Sequence, residues 1–143
     1  MSTVPSGQDV AKLRVVVGRL HRRLAQRSNG ELTFAQVSAL VTVEKRGPIR
    51  LGELAAREQV AAPSMTRTAA SLLTLGLIDR VPDPDDGRSF HIVLADAGRD
   101  LLDHVRSERT ALLSERVSRL SQDQYEKLLA ALPVLEQLAE EDD

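Results

Sequence analysis

Ser64-Met65-Thr66-Arg67-Thr68 groups three hydroxyls and a guanidinium within five residues. Such side chains suit recognition rather than bond-breaking. Hydroxyls and arginine bond to base edges and phosphates, and a guanidinium can bridge two acceptors on guanine. Arg67 is the strongest candidate of the set, for guanine or for phosphate. Reactive chemistry finds little support elsewhere. The chain has no cysteine, which excludes thiol catalysis, thiol redox sensing, disulfides and thiolate metal sites. His21, His91 and His104 fall outside any His-Glu-x-x-His spacing, and there is no glycine-rich phosphate loop or nucleophile elbow. Asp100, Asp103 and His104 share one helical segment, where a surface network is expected rather than a metal. The reading therefore expects no enzyme, no metal and no cofactor.

The elements around the hydroxyl-rich stretch explain its presentation. Gly52 to Arg57 reads as a short helix and Ala62 to Gly76 as a longer one, with Pro63 in its first turn, where a missing N–H costs nothing. Ala62 would be a weak cap, and Gly76 a C-terminal stop. Leu72, Leu73 and Leu75 come late and should pack inward. Leu77 to Val81 and Phe90 to Leu94 read as strands, joined by Pro82-Asp83-Pro84-Asp85-Asp86-Gly87-Arg88-Ser89. Helix, turn, helix and hairpin together form a winged helix, which places the start of its second helix in the DNA major groove. Ser64, Thr66, Arg67 and Thr68 would be the groove-facing residues.

Amphipathic helices flank this head. Asp9 to Ser28 carries Val10, Leu13, Val17, Leu20 and Leu24 at three- and four-residue steps, with Asp9 as expected N-cap and Asn29-Gly30 as stop. Thr33 and Gln36 predict a capping box for a second helix with Phe34, Val37, Leu40 and Val41 on its apolar side. That helix should stop at Gly47-Pro48, and Ile49-Arg50 reads as a very short strand. A long helix is expected from Asp96 to about Leu120. Ser121 and Gln124 form a second capping box for a last helix, lined by Tyr125, Leu128, Leu129, Leu132, Leu135 and Leu138 and kinked at Pro133. Glu140-Glu141-Asp142-Asp143 should be a solvated acidic end. On a lone chain the leucine stripes of the terminal helices would stay exposed, so they are expected to meet a second copy.

Charge is distributed unevenly. Residues 1–30 hold six basic residues against one acidic, residues 31–94 seven against eight, and residues 95–143 six against twelve. The proposed head is not basic overall, so individual arginines rather than a diffuse field must do the work. No apolar run approaches a membrane span, and the opening Met1 to Gly7 lacks the pattern of an export signal, so a cytoplasmic protein is expected.

At this point the sequence resembles the MarR family of bacterial winged helix-turn-helix regulators. The matching stretches are Leu51-Gly52-Glu53-Leu54-Ala55, Thr66-Arg67, Gly76-Leu77-Ile78-Asp79-Arg80, Asp83-Pro84-Asp85-Asp86-Gly87-Arg88-Ser89 and Leu94-Ala95-Asp96-Ala97-Gly98-Arg99. The resemblance implies a homodimer joined by its terminal helices. It also implies that Arg88 enters the minor groove, oriented by Asp86, two residues before it. Two positions depart from the family pattern. Arg50 and Ala95 stand where a Ser or Thr is usual. Arg50 cannot cap a helix but could touch a phosphate, and Asp96 could cap one residue late. In the family, ligands bind between the dimerising helices and the head. Val17, His21, Leu24, Phe34 and His104 are the corresponding candidates for effector contacts.

The fold expected is mainly α with a small β-wing. Residues 1–30 form a tail and dimerisation helix, 31–95 the winged helix-turn-helix, and 96–143 the C-terminal dimerisation helices. The function expected is a homodimeric DNA-binding transcription regulator, a repressor that recognises an inverted-repeat operator in double-stranded DNA and is released by a small-molecule effector. The alternative is a winged-helix protein-interaction module without sequence-specific DNA binding.

Overall fold

The computed structural model describes residues 4–141. Met1, Ser2 and Thr3 of the opening stretch, and Asp142 and Asp143 of the acidic end, lie outside the described residues. The chain runs α1 (Gly7–Ser28), α2 (Phe34–Arg46), α3 (Leu51–Arg57), α4 (Ala62–Thr74), β1 (Ile78–Pro82), β2 (Phe90–Leu94), α5 (Asp96–Val117) and α6 (Gln122–Ala139). It packs as two units that divide within α5, between Arg109 and Thr110. The expected class is observed: a mainly helical chain with one small antiparallel sheet. No helix among the described residues is long and apolar enough to cross a membrane.

Local chemistry accounts for the element ends. Thr33 and Ser121 each accept the N–H of the residue three on, and Gln36 and Gln124 return the bond to the cap's own N–H. Both capping boxes are as expected. Three other starts differ. The cap of α1 is Ser6, which makes no side-chain bond, and Asp9 sits inside the first turn. The cap of α4 is Ala61, not Ala62. Asp96 is the first helical residue of α5 rather than its cap. Where no side chain bonds the first amides, the chain path alone sets the boundary.

Helix α4 ends at Thr74, with Leu75 as its C-cap and the expected glycine stop directly after it. Gly76, at φ 72°, donates its N–H to Leu73 and is followed by Leu77 donating to Leu72, the paired bonds of a Schellman stop. Leu77 is therefore occupied in closing the helix, and β1 begins at Ile78. Helix α3 ends the same way, with Gln59 to Ala56 and Val60 to Ala55, but the left-handed residue is Gln59 at φ 55°. A side chain there is disfavoured. Gln59→Gly is expected to stabilise the fold by about 0.5–1 kcal/mol, read as a higher midpoint in urea at unchanged slope.

The core of the first unit is built from α2 (Val37, Leu40, Val43), α3 (Leu54), α4 (Met65, Ala69, Leu72), the sheet (Ile78, Ile92) and α5 (Leu102). β1 and β2 pair in register from Ile78 opposite Leu94 to Pro82 opposite Phe90. Ile49 adds a single bridge to Ile92, with bonds of 3.1 and 2.8 Å, because Arg50 already turns into the cap of α3. Gln36 also bonds Ser71 at 2.9 Å, fastening α2 to α4. Arg106 grips both carboxylate oxygens of Glu44, fastening α5 to α2. That bond, more than the attraction of the charge, holds the Glu44 carboxyl below its usual range against the opposing effect of burial.

Outside this core the apolar stripes are open. Val10, Leu13, Val17 and Leu20 of α1 are exposed. In the second unit Tyr125, Leu129, Leu132 and Leu138 are exposed, and α6 has no buried residue. Helix α6 continues through Pro133. Phe34, expected on the buried side of α2, is 57% exposed at that helix's first position.

Candidate nucleic-acid interface

Burial of Met65, Ala69 and Leu72 fixes the rotation of α4. The opposite side carries Thr66, Arg67, Ala70 and Thr74, all exposed. Thr66 donates its hydroxyl to Ala62 O at 2.9 Å while the residue stays exposed. Arg67 reaches back to Ser64 Oγ at 3.4 Å, a weak tether that leaves the guanidinium in solvent. Ser64 is half-buried on that flank. Thr68 is half-buried and lines a cavity against α2, away from Thr66 and Arg67. The four α4 candidates thus divide: Thr66 and Arg67 face outward, Ser64 supports Arg67, and Thr68 turns inside. Ala70 and Thr74 belong to the outward face and escaped sequence reasoning. Their spacing of three and seven residues from Arg67 was the available signal.

The helix start adds electrostatics. Neither a side-chain cap nor an acidic residue occupies the first turn of α4. Its free N–H groups and the positive end of the helix dipole can meet an anion such as a backbone phosphate. Glu58, in the preceding turn, accepts bonds from Ser38 (3.0 Å) and Thr42 (3.3 Å), which anchor that turn on α2.

The wing is organised by two aspartates. Asp86 accepts from the Arg88 backbone N–H at 3.0 Å and from Ser89 Oγ at 3.3 Å. It therefore orders the backbone that carries Arg88. The expected contact to the guanidinium is absent, and among the described residues the Arg88 side chain has no hydrogen-bond or ion-pair partner. It projects, exposed, from the tip. Behind it the exposed Arg80 of β1 lies over the Phe90 ring of β2, 4.7 Å from its centroid, a cation–π contact between the two strands.

Asp83 sits at the wing root; the sequence shows it as part of the wing stretch but assigns it no role of its own. Its side chain is 1% exposed, and it is the one buried charged residue among those described. One oxygen takes the Asp85 N–H at 2.9 Å. The other takes Arg50 at 2.5 Å and lies 3.4 Å from His91 Nε2. Arg50 Nε lies 3.4 Å from the same His91 nitrogen. Arg50, an expected phosphate contact, is thus first a strut from the cap of α3 to the root of the wing. Its side chain is still 58% exposed and can face DNA as well.

The Asp85 N–H, followed by the Arg50 bond and charge, holds the Asp83 carboxyl below its ordinary value, while burial opposes them. A carboxyl depressed by folding adds stability above its unfolded pKa and loses it as pH falls through the folded one. Asp83→Asn is therefore expected to melt below the parent at neutral pH, with the gap closing as pH drops below about 3.9. A pH-independent gap in thermal scans would contradict this.

The effector candidates are scattered. His21 meets Phe34 edge to face at 5.8 Å between centroids. Phe34 lines a cavity of about 330 Å³ with Arg22, Gln26 and Asn29, but Val17, His21, Leu24 and His104 do not line it. Val17 is exposed, Leu24 half-buried, and His104 pairs with Glu108 at 3.6 Å. No cluster of three or more metal-ligating side chains occurs among the described residues.

Comparison with known proteins adds four findings. Residues 32–90 match the profile of the MarR family. The chain is 36% identical over 130 residues to an HTH-type transcriptional regulator of Mycobacterium tuberculosis, covering 90% of this chain and 91% of that one. It is 28% identical over 112 residues to the HTH-type transcriptional repressor MdtR of Bacillus subtilis, with 78% and 72% covered. Among solved structures, a variant of S. aureus MepR bound to an oligodeoxyribonucleotide superposes with a TM-score of 0.70 at 20% identity, over 92% of this chain and 97% of that one.

Proposed function

Since the chain belongs to the MarR family, and is accordingly a winged-helix transcriptional regulator rather than an enzyme, we propose that it is a homodimeric repressor of an inverted-repeat operator. The observation that carries this reading is the outward face of α4. Thr66 and Arg67 stand on it beside a helix start free of caps and acids, and a wing locked at its root presents Arg88. Thr66 and Arg67 read the major groove, with Ser64 behind Arg67. Arg88 enters the minor groove, where a narrow groove's negative potential attracts a guanidinium. Arg50 and the α4 amides hold phosphates. The oligonucleotide bound to MepR and the repressor role of MdtR are properties of those proteins, and they support the same assignment here.

Two copies are needed to cover the apolar residues left open on α1 and α6, since exposed stripes of this length are a partner surface. Residues 1–30 and 96–143 supply that interface, and 31–95 the reading head. A two-fold dimer sets half-sites roughly one helical turn apart, about 10 bp. A small molecule that prefers the dimer with its heads at another spacing releases the operator by that preference alone. The protein works in the cytoplasm, where the chromosome is accessible.

The deciding experiment is selection of genomic fragments on purified protein at near-physiological salt, with sedimentation on the same sample. The expected result is an enriched inverted repeat and a particle of about twice the 15.7 kDa chain mass. A folded dimer that retains no fragment turns the assignment toward a protein-interaction module. A monomer at micromolar concentration removes the dimer.

A further inference from the structure

The cavity of about 250 Å³ beside the start of α4 has a chemistry of its own. Phe34 of α2, Val60 of the turn and Met65 of α4 supply apolar walls. Ser64 and Thr68 of α4 supply hydroxyls, and Glu58 supplies a carboxylate. Phe34 and Val60 are exposed although apolar. The Glu58 oxygens are held by two neutral hydroxyls, Ser38 Oγ and Thr42 Oγ1. No ion pair among the described residues includes Glu58. A carboxylate fixed in place at the edge of an apolar cavity, beside an aromatic ring, lacks the cation that such surroundings favour.

We propose that this cavity binds a small organic cation with an apolar body, its ammonium against Glu58 and Phe34 and its body against Val60 and Met65. The charge complementarity selects the occupant. An anion would meet Glu58 with repulsion, and a neutral hydrocarbon would desolvate the carboxylate further while leaving it only its two hydroxyl bonds and no counter-charge. The volume, just below the usual range of small-molecule sites, admits one aromatic ring with a short substituent. Ser64 and Thr68 form one wall, so an occupant touches the helix assigned to DNA reading. That regulatory consequence rests on the proposed DNA-binding function; the binding itself does not.

The test is titration of the full-length, isotope-labelled protein with benzyltrimethylammonium, followed by amide NMR. Saturable shifts are expected at Glu58, Val60, Ser64 and Thr68. Benzyl alcohol and benzoate should bind at least about tenfold more weakly, for want of the charge pairing. Glu58→Gln keeps the side chain's size and should weaken the cation by a similar factor. Thr68→Leu, which fills the cavity, should abolish binding and serves if Glu58→Gln fails to fold. Equal binding of benzyl alcohol, unchanged affinity in folded Glu58→Gln, or no saturable shifts would overturn the site. With the site established, operator binding that is indifferent to saturating cation would overturn its regulatory role alone.

Discussion

Operator affinity is expected to fall by about 1–3 kcal/mol per half-site when Arg88 becomes alanine, while the melting curve stays within error of the parent. The two halves of this expectation come from separate observations. Arg88 is exposed, and its side chain has no partner among the described residues, so its removal disturbs no contact within the protein. The wing backbone is organised by Asp86, through the Arg88 N–H and the Ser89 hydroxyl, and alanine retains that N–H. Only the guanidinium at the tip is lost. Two half-sites make the effect on a whole operator multiplicative, so a titration at fixed salt should resolve it. Unchanged affinity would remove Arg88 from the interface. Asp86→Ala is a useful contrast, because it releases the tip backbone while keeping the arginine.

Gly98→Ala is expected to cost about 1–3 kcal/mol of stability, with a melting point several degrees lower. Gly98 lies buried in the first turns of α5. A Cβ there would overlap the Leu77 carbonyl oxygen and crowd a Leu94 methyl, 2.7 Å away. That carbonyl also accepts the Ala95 N–H, at 3.1 Å. The obstacle is therefore largely backbone, which has nowhere cheap to go. To admit a methyl, α5 must lift from the strand junction that follows α4. Denaturant titration checks the prediction, and a loss below about 0.3 kcal/mol would mean that the close approach is not as tight as described.

What was legible in the sequence was local. The capping boxes at Thr33 and Ser121 need only three residues of context, and both form. The stop at Gly76 and the wing between two short strands could be read from turn chemistry. The starts at Asp9, Ala62 and Asp96 were misplaced by one to three residues because the true boundaries carry no side-chain bond to announce them. The site was less legible. Asp83 looked like one acid among several in a loop. Its importance comes from Arg50, 33 positions earlier, and His91, eight positions later, meeting at the wing root. Long-range convergence of this kind has no periodicity. Phe34 illustrates the opposite failure. Its apolar character suggested core, but the first position of α2 overhangs the packed layer, so the ring faces two cavities instead. Thr68 sat among reading residues in the sequence, yet lies one hundred degrees round the helix from Arg67, toward α2.

The lock at Asp83 also gives the wing the mechanics of a cantilever. Its base is clamped to the cap of α3, its stem is braced by the Arg80–Phe90 stack, and its end is internally cross-bonded by Asp86. Meeting a duplex then requires almost no backbone torsion to freeze. The principal freedom left to surrender is that of one arginine side chain, worth roughly 2 kcal/mol at most. The same stiffness transmits force. In the proposed complex, a groove pushing on the tip would load the Arg50 junction rather than bend the hairpin, so a misfit in groove width would be felt at the start of α3.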